Sequence, residues 1–291
     1  MRCTICPHNC STNRTTDFGV CQMPAESVVA KVMLHRFEEP PISGERGSGA
    51  IFFSGCNLKC VYCQNYQISQ QHAGRQITAE RLTRLFFKLA EAGAHNISLI
   101  TPMHFIQPIA AAIALAKKQG FSLPFVYNTN SYERVESLKT LNGLIDIYLP
   151  DIKYCSNEAA LKYSRAPNYF AIASDAVLEM ARQTGANIYA KNGMLQSGLI
   201  IRHLVLPGLR HDSFLILNWI AANLPHAAIS LMAQYIPAYR SVDFKELNRR
   251  VTTFEYQSVV EHAVKLKLTN GFTQQREAAT AAYTPDFTLP F

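Results

Sequence analysis

Short, mostly apolar runs alternate along the chain with longer stretches in which apolar residues recur every three or four positions. The runs at 50–53, 97–100, 125–127, 145–149, 199–206 and 229–234 read as strands. Pro102, Pro150, Pro207-Gly208 and Pro237 stop four of them. Between the strands, 79–93 places Leu82, Leu85, Phe86 and Leu89 on one helical face, with Gly93 near its end. Pro108 opens a second helix and Gly120 closes it, and helical stretches follow at 132–141, 169–184, 213–224 and 254–266. Six strand–helix units with strands apolar on both faces predict an α/β protein with a parallel sheet covered by helices. An open doubly wound sheet and a partial barrel both satisfy that pattern. Residues 38–49 read as a turn-rich connector, and the chain carries no repeat or low-complexity tract.

Composition narrows the class. Of 291 residues, 48% are hydrophobic and 17% charged, which suits one large folded domain with a small appendage and excludes a disordered chain. The formal net charge is +7, yet the basic residues form only pairs such as Lys117-Lys118 and Arg249-Arg250. That is a mild surface bias and not a nucleic-acid footprint. The longest apolar helix-like run, 109–116, is too short to span a bilayer, and no apolar leader follows Met1-Arg2-Cys3. The expectation is a soluble, cytoplasmic protein with no membrane partner. In that compartment clustered cysteines point to metal or catalysis, and seven of the eight cysteines fall in two clusters.

Cys56, Cys60 and Cys63 form a C-x3-C-x2-C triad just after the first predicted strand. A [4Fe–4S] cluster normally takes four thiolates, so three from one loop leave an iron open to a small molecule. Zinc knuckles favour paired C-x2-C units, which this spacing matches poorly. The N-terminal Cys3, Cys6, Cys10 and Cys21 lie within nineteen residues and can close a separate site around zinc or a second cluster, or remain reduced thiols. Cys155 stands alone and reads as a structural thiol. Polar residues recur at the strand exits: Thr101 and His104, Asn128 and Thr129, Asp151 and Lys153, then Gln234 and Tyr235, with Arg202 near the start of the fifth strand. Each is ordinary loop chemistry by itself. Ligands bind at the carboxyl ends of strands in β/α barrels, so their recurrence at one end points to a shared site.

The strings Gly-Cys-Asn-Leu-Lys-Cys-Val-Tyr-Cys-Gln-Asn-Tyr, Tyr-Asn-Thr-Asn-Ser-Tyr, Ile-Tyr-Leu-Pro-Asp-Ile-Lys-Tyr and Ile-Arg-His-Leu-Val-Leu-Pro-Gly together resemble the pyruvate formate-lyase activating enzyme-related (PflX-like) branch of radical S-adenosylmethionine (SAM) proteins. The resemblance implies a partial (β/α)6 barrel over 48–275, a cysteine-rich metal-binding segment and connector over 1–47, and a tail over 276–291. It implies a [4Fe–4S] cluster on the triad, SAM on its open iron, and a 5′-deoxyadenosyl radical that takes hydrogen from a substrate. That substrate is a protein glycine in glycyl-radical enzyme activation, or a peptide or small molecule. A one-electron donor such as a flavodoxin or ferredoxin is the implied partner. Tyr62 would lie beside the adenine, with Asn128, Thr129 and Asp151 near the SAM carboxylate and ribose. Lys153 and Arg202 would neutralise the SAM carboxylate or a substrate acid. Two departures stand out. Asn128 replaces an aspartate that helps hold a monovalent cation, and Thr101 or His104 must stand in for a Gly-Gly-Glu motif. The competing expectation is a non-catalytic iron–sulfur or zinc protein that binds nucleic acid or a partner protein. It calls for four protein ligands on every metal and no polar ring at the strand exits.

Overall fold

The protein is described here as a computed structural model, over residues 2–274, 276–280, 282 and 284–287. Strands β1 (Ser27–His35), β2 (Ser48–Phe53), β3 (Arg75–Ile77), β4 (Ile97–Ile100), β5 (Phe125–Thr129), β6 (Ile147–Pro150), β7 (Ile188–Tyr189), β8 (Leu195–Leu204), β9 (Ala228–Met232) and β10 (Gly271–Thr273) form one sheet. Its order is β10-β9-β8-β6-β5-β4-β2-β1-β3, with β7 added to β8. Every pairing from β2 through to β10 is parallel. β1 on β2, β3 on β1 and β7 on β8 are antiparallel. Among the described residues nothing pairs β3 with β10, so the sheet is open.

The helices are α1 (Pro40–Ser43), α2 (Tyr66–Ser69), α3 (Ala79–Glu91), α4 (Ile106–Lys118), α5 (Val135–Lys139), α6 (Asn157–Ser164), α7 (Tyr169–Thr184), α8 (Arg210–Asn223) and α9 (Thr253–Lys265). Successive strand residues face opposite sides, and the sheet divides its labour accordingly. Ile51, Phe53, Leu99, Tyr127, Ile201 and Leu231 join Leu82, Phe86, Ile109, Ile113, Ile216 and Val259 of the helices in one large core. The alternate positions split into two smaller apolar clusters. Val126, Ile147, Leu149 and Ile200 gather round Ile42, and Ala50, Phe52 and Ile100 gather round Ile68 and Phe287. Toward the carboxyl ends the same inward rows turn polar at Asn128, Asp151, Arg202 and Ser230, and these line a cavity of ≈ 670 Å³. That change along each row is what makes room for a site.

The six expected strands and the alternating helices are present. Three differences bear on function. β8 starts earlier and ends earlier than expected, so Arg202 stands near its carboxyl end, not near its start, and reaches the cavity. β1 gave no clear strand pattern, because Lys31 interrupts its apolar run, yet it joins the segment before β2 to the sheet. β10 is only Gly-Phe-Thr, and any Cβ at Gly271 would run into the Ile229 backbone. Residues 275, 281, 283 and 288–291, at the barrel end and in the expected tail, lie outside the described residues. Among the described residues no helix is long and apolar enough to cross a membrane.

Candidate active site

Cys56, Cys60 and Cys63 follow β2 and all line the cavity. Gly55 makes the turn possible: its φ is +79°, and a Cβ there would collide with Met23 and come within 2.9 Å of the Cys21 carbonyl. Two backbone bonds hold the loop against the end of α6, Lys59 N–H to Ser164 O (3.0 Å) and Val61 N–H to Tyr163 O (2.9 Å). Each sulfur meets a side-chain donor. Asn130 Nδ2 donates to Cys56 Sγ (3.4 Å), Ser164 Oγ to Cys60 Sγ (3.0 Å), and Ser69 Oγ lies 3.2 Å from Cys63 Sγ. Burial pushes the Cys56 thiol up to about 11 and that of Cys60 to about 12, and raises Cys63. Bare thiolates are costly there, while iron supplies the compensating positive charge, so the donor set fits a cluster. Among the described residues no three His, Cys, Asp or Glu side chains stand as ligands of a single ion. Thiolates on separate irons of a cluster need not converge that closely.

Arg202 is the centre of a second group. Its Nε donates to Asp151 Oδ1 (2.8 Å), Nη1 to Glu38 Oε2 (3.0 Å) and Nη2 to Asn128 Oδ1 (2.6 Å). Asn128 Nδ2 donates in turn to Glu38 Oε1 (3.1 Å), and Lys153 Nζ to Asp151 Oδ2 (2.7 Å). Asp151 is buried, but Arg202 and Lys153 hold its carboxyl below the usual range. Burial raises Glu38 and Glu39 against the pull of Arg202. Glu39 Oε2 is buried without a hydrogen-bond partner, 4.0 Å from Arg202 Nη1. The guanidinium thus lies where the carboxylates of Asp151, Glu38 and Glu39 converge. Glu38 and Glu39 escaped the sequence reading because they sit in the connector, outside any strand exit. Their only signal was a pair of acids before Pro40-Pro41.

The remaining expected residues divide. Tyr62, Thr101, Asn128, Thr129, Asp151, Lys153 and Arg202 line the same cavity as the triad. Thr101 has a φ of +57°, which is costly for a β-branched residue and typical of ligand clamps. The Thr129 hydroxyl is already committed, donating to Glu133. His104 does not line the cavity. Its ring bonds the Ser54 carbonyl (Nε2, 2.6 Å), its own carbonyl accepts from Arg14, and burial pulls it down to about 3, so it joins the N-terminal segment to the barrel. Cys3, Cys6, Cys10 and Cys21 lie together in that segment. Burial and then the charges of the other three push Cys6 up to about 12.

A family model, the radical SAM superfamily, matches residues 50–213. An uncharacterised protein of Methanocaldococcus jannaschii is 32% identical over 274 residues, 91% of this chain and 75% of its own length. A second protein of that organism, named for a proposed role as a glycyl-radical enzyme activating enzyme, is 30% identical over 109 residues, 38% of this chain and 44% of its own length. Streptococcus suis SuiB bound to S-adenosylmethionine shares the fold at a TM-score of 0.53 and 10% identity, over 76% of this chain and 48% of that one. The chain belongs to the radical SAM superfamily, and its cofactors are that family's [4Fe–4S] cluster and SAM.

Glu133 generates a pH prediction. It is 1% exposed, accepts from Tyr127 Oη (3.0 Å) and Thr129, and burial pushes it up to about 7 from an ordinary 4.5. The folded state holds this proton more tightly than the unfolded one. Its contribution to stability is therefore full below about 4.5 and lost as pH rises through about 7. Unfolding by urea across that window should show a falling stability of at most about 1.4 kcal/mol per pH unit from this group. Glu133→Gln should flatten that fall, and an unchanged slope in the variant would contradict the assignment.

Proposed function

We propose that this protein is an enzyme that cleaves SAM reductively and abstracts hydrogen from a protein or peptide, with a backbone glycine as the first candidate. The observation that carries this reading is the ligand count at the cavity: among the described residues, three cysteines of one loop line it and no fourth does. When bound, the reduced cluster would supply one electron to the sulfonium of SAM, whose carbon–sulfur bond would break to give methionine and a 5′-deoxyadenosyl radical able to take a hydrogen atom from the substrate and leave as 5′-deoxyadenosine. The chain's own part is positioning. Lys153 and Arg202 offer the positive charge that a SAM carboxylate would meet, and Asp151 keeps both charged. Phe52, Ile100, Leu204, Met232 and Tyr235 give the cavity an apolar wall that keeps water from the reacting centre. The glycine assignment is supported by the partial likeness to the second M. jannaschii protein. A flavodoxin or ferredoxin is the class of donor that fits a one-electron reduction. The buried ring of charge around Arg202 argues against the non-catalytic reading.

Anaerobic reconstitution with iron and sulfide, reduction by dithionite and addition of SAM should yield 5′-deoxyadenosine and methionine. Deuterium placed in the protein substrate should appear in the 5′-deoxyadenosine. Replacing Cys56, Cys60 or Cys63 with Ala should abolish cleavage while the far-ultraviolet circular dichroism is retained. Cleavage persisting in any of the three would refute the reading.

The four N-terminal cysteines carry a separate proposal: they hold a metal of their own, zinc or a second cluster. Elemental analysis of a variant with all three triad cysteines replaced by Ala should still find zinc or iron. Finding neither, in protein purified without oxygen or chelators, would leave reduced thiols.

The charge around Arg202 yields an expectation for salts. Asn128 brings no charge, and the guanidinium already bridges Asp151 and Glu38. SAM affinity should therefore be the same in potassium, sodium or tetramethylammonium at matched ionic strength, and Asp151→Asn should weaken it. A steep loss of affinity in tetramethylammonium would mean that a metal cation completes the site.

A further inference from the structure

Behind the triad runs a line of hydroxyl groups that the reading above leaves unused. Tyr62 Oη lies 2.6 Å from Tyr154 Oη, Tyr154 Oη lies 2.7 Å from Ser164 Oγ, and Ser164 Oγ donates to Cys60 Sγ at 3.0 Å. Ser164 and Tyr154 are 0% exposed and Tyr62 only 6%, so no solvent competes along the line. The last residue of α6 cannot drift from the loop, because the Ser164 carbonyl is itself bonded by Lys59 N–H (3.0 Å). The direction of each bond follows from its end. A thiolate on iron only accepts, so the Ser164 proton must point at Cys60. Ser164 oxygen then receives the Tyr154 proton, and Tyr154 oxygen receives that of Tyr62. The phenol of Tyr62 therefore turns its proton inward and shows the cavity only lone pairs.

We propose that Tyr62, Tyr154 and Ser164 form a directed hydrogen-bond chain that sets the reduction potential of the cluster through Cys60. The inference rests on the cluster assignment made above. Adding an electron to the cluster increases negative charge on its sulfurs, and a donor at a sulfur stabilises the reduced form more than the oxidised one. In a chain each O–H is polarised by the next, so distant members strengthen the last bond. The other two sulfurs meet no such line of hydroxyls: Cys56 accepts from Asn130 Nδ2 and Leu58 N–H, and Ser69 Oγ lies beside Cys63. Ser164 touches a ligand of the cluster, and Tyr154 and Tyr62 act through it, so all three are positioning residues here.

The test is a potentiometric titration of the reconstituted protein, without SAM, followed by electron paramagnetic resonance. Ser164→Ala should disfavour reduction about tenfold, a downward shift of about 59 mV for one electron. Tyr154→Phe and Tyr62→Phe should shift the potential the same way by successively smaller amounts. Ser164→Thr, which keeps the hydroxyl, should restore the potential. Iron–thiolate stretching in resonance Raman spectra should rise in frequency in Ser164→Ala as the bond to Cys60 is lost. If Ser164→Ala fails to hold a cluster, Tyr154→Phe decides the matter, because it leaves the serine in place. An unchanged potential in Tyr154→Phe with full iron content overturns the chain. Absence of any [4Fe–4S] signal in the unmodified protein overturns the cluster assignment itself, and the chain with it.

Discussion

A guanidinium with only 12% of its side chain exposed governs the arrangement of the barrel mouth. Burying the Arg202 charge is costly without partners, and its partners come from separate parts of the chain: Asn128 at the end of β5, Asp151 just beyond β6, and Glu38 and Glu39 before α1. Taking such charges out of water costs about as much as their mutual attraction returns, so the group adds little to net stability. Its effect is on geometry. Removing Arg202 would leave Glu38 and Glu39 buried without a counter-charge, which ties the three strand exits and the connector into one arrangement. Asp151 pairs with Arg202 across adjacent strand ends as well as through its side chain, so the ion pair and the sheet register enforce each other.

The same constraint explains how much could be read in advance. The parallel strands were legible because each is buried on both faces and therefore mostly apolar, as in Ile97–Ile100 and Ile147–Pro150. The triad and most of the cavity residues were legible because they follow those strands directly. Glu38, Tyr154 and Ser164 were not. Their roles come from long-range contacts, over 164 positions for Glu38 with Arg202 and 104 for Ser164 with Cys60, and no local pattern encodes a partner so far away. His104 shows the converse. Its place after a strand made it a site candidate, but inward and outward directions at a strand exit depend on the turn. The 3-10 turn Met103–Phe105 buries its ring against Ser54.

The N-terminal cysteine segment is not an appendage hung on a finished barrel. Arg14 donates to the carbonyls of Met23, Pro24 and His104, and its guanidinium lies 5.6 Å from the centre of the Phe105 ring. His8 Nε2 bonds the carbonyl of Asn57, inside the triad loop itself, at 2.7 Å. Met23 and the Cys21 carbonyl press on Gly55 so closely that only glycine fits. Asn57 also links the loop to Asn130, which donates to Cys56 Sγ. Two or three packed contacts therefore connect Cys21 and His8 with the sulfur of a triad cysteine. The segment that carries the N-terminal cysteines thus packs directly on the loop that must hold three thiolates at the spacing of a cluster. That packing gives a physical reason for a cysteine-rich segment to precede this barrel: it braces the triad loop from the side that the cavity leaves free.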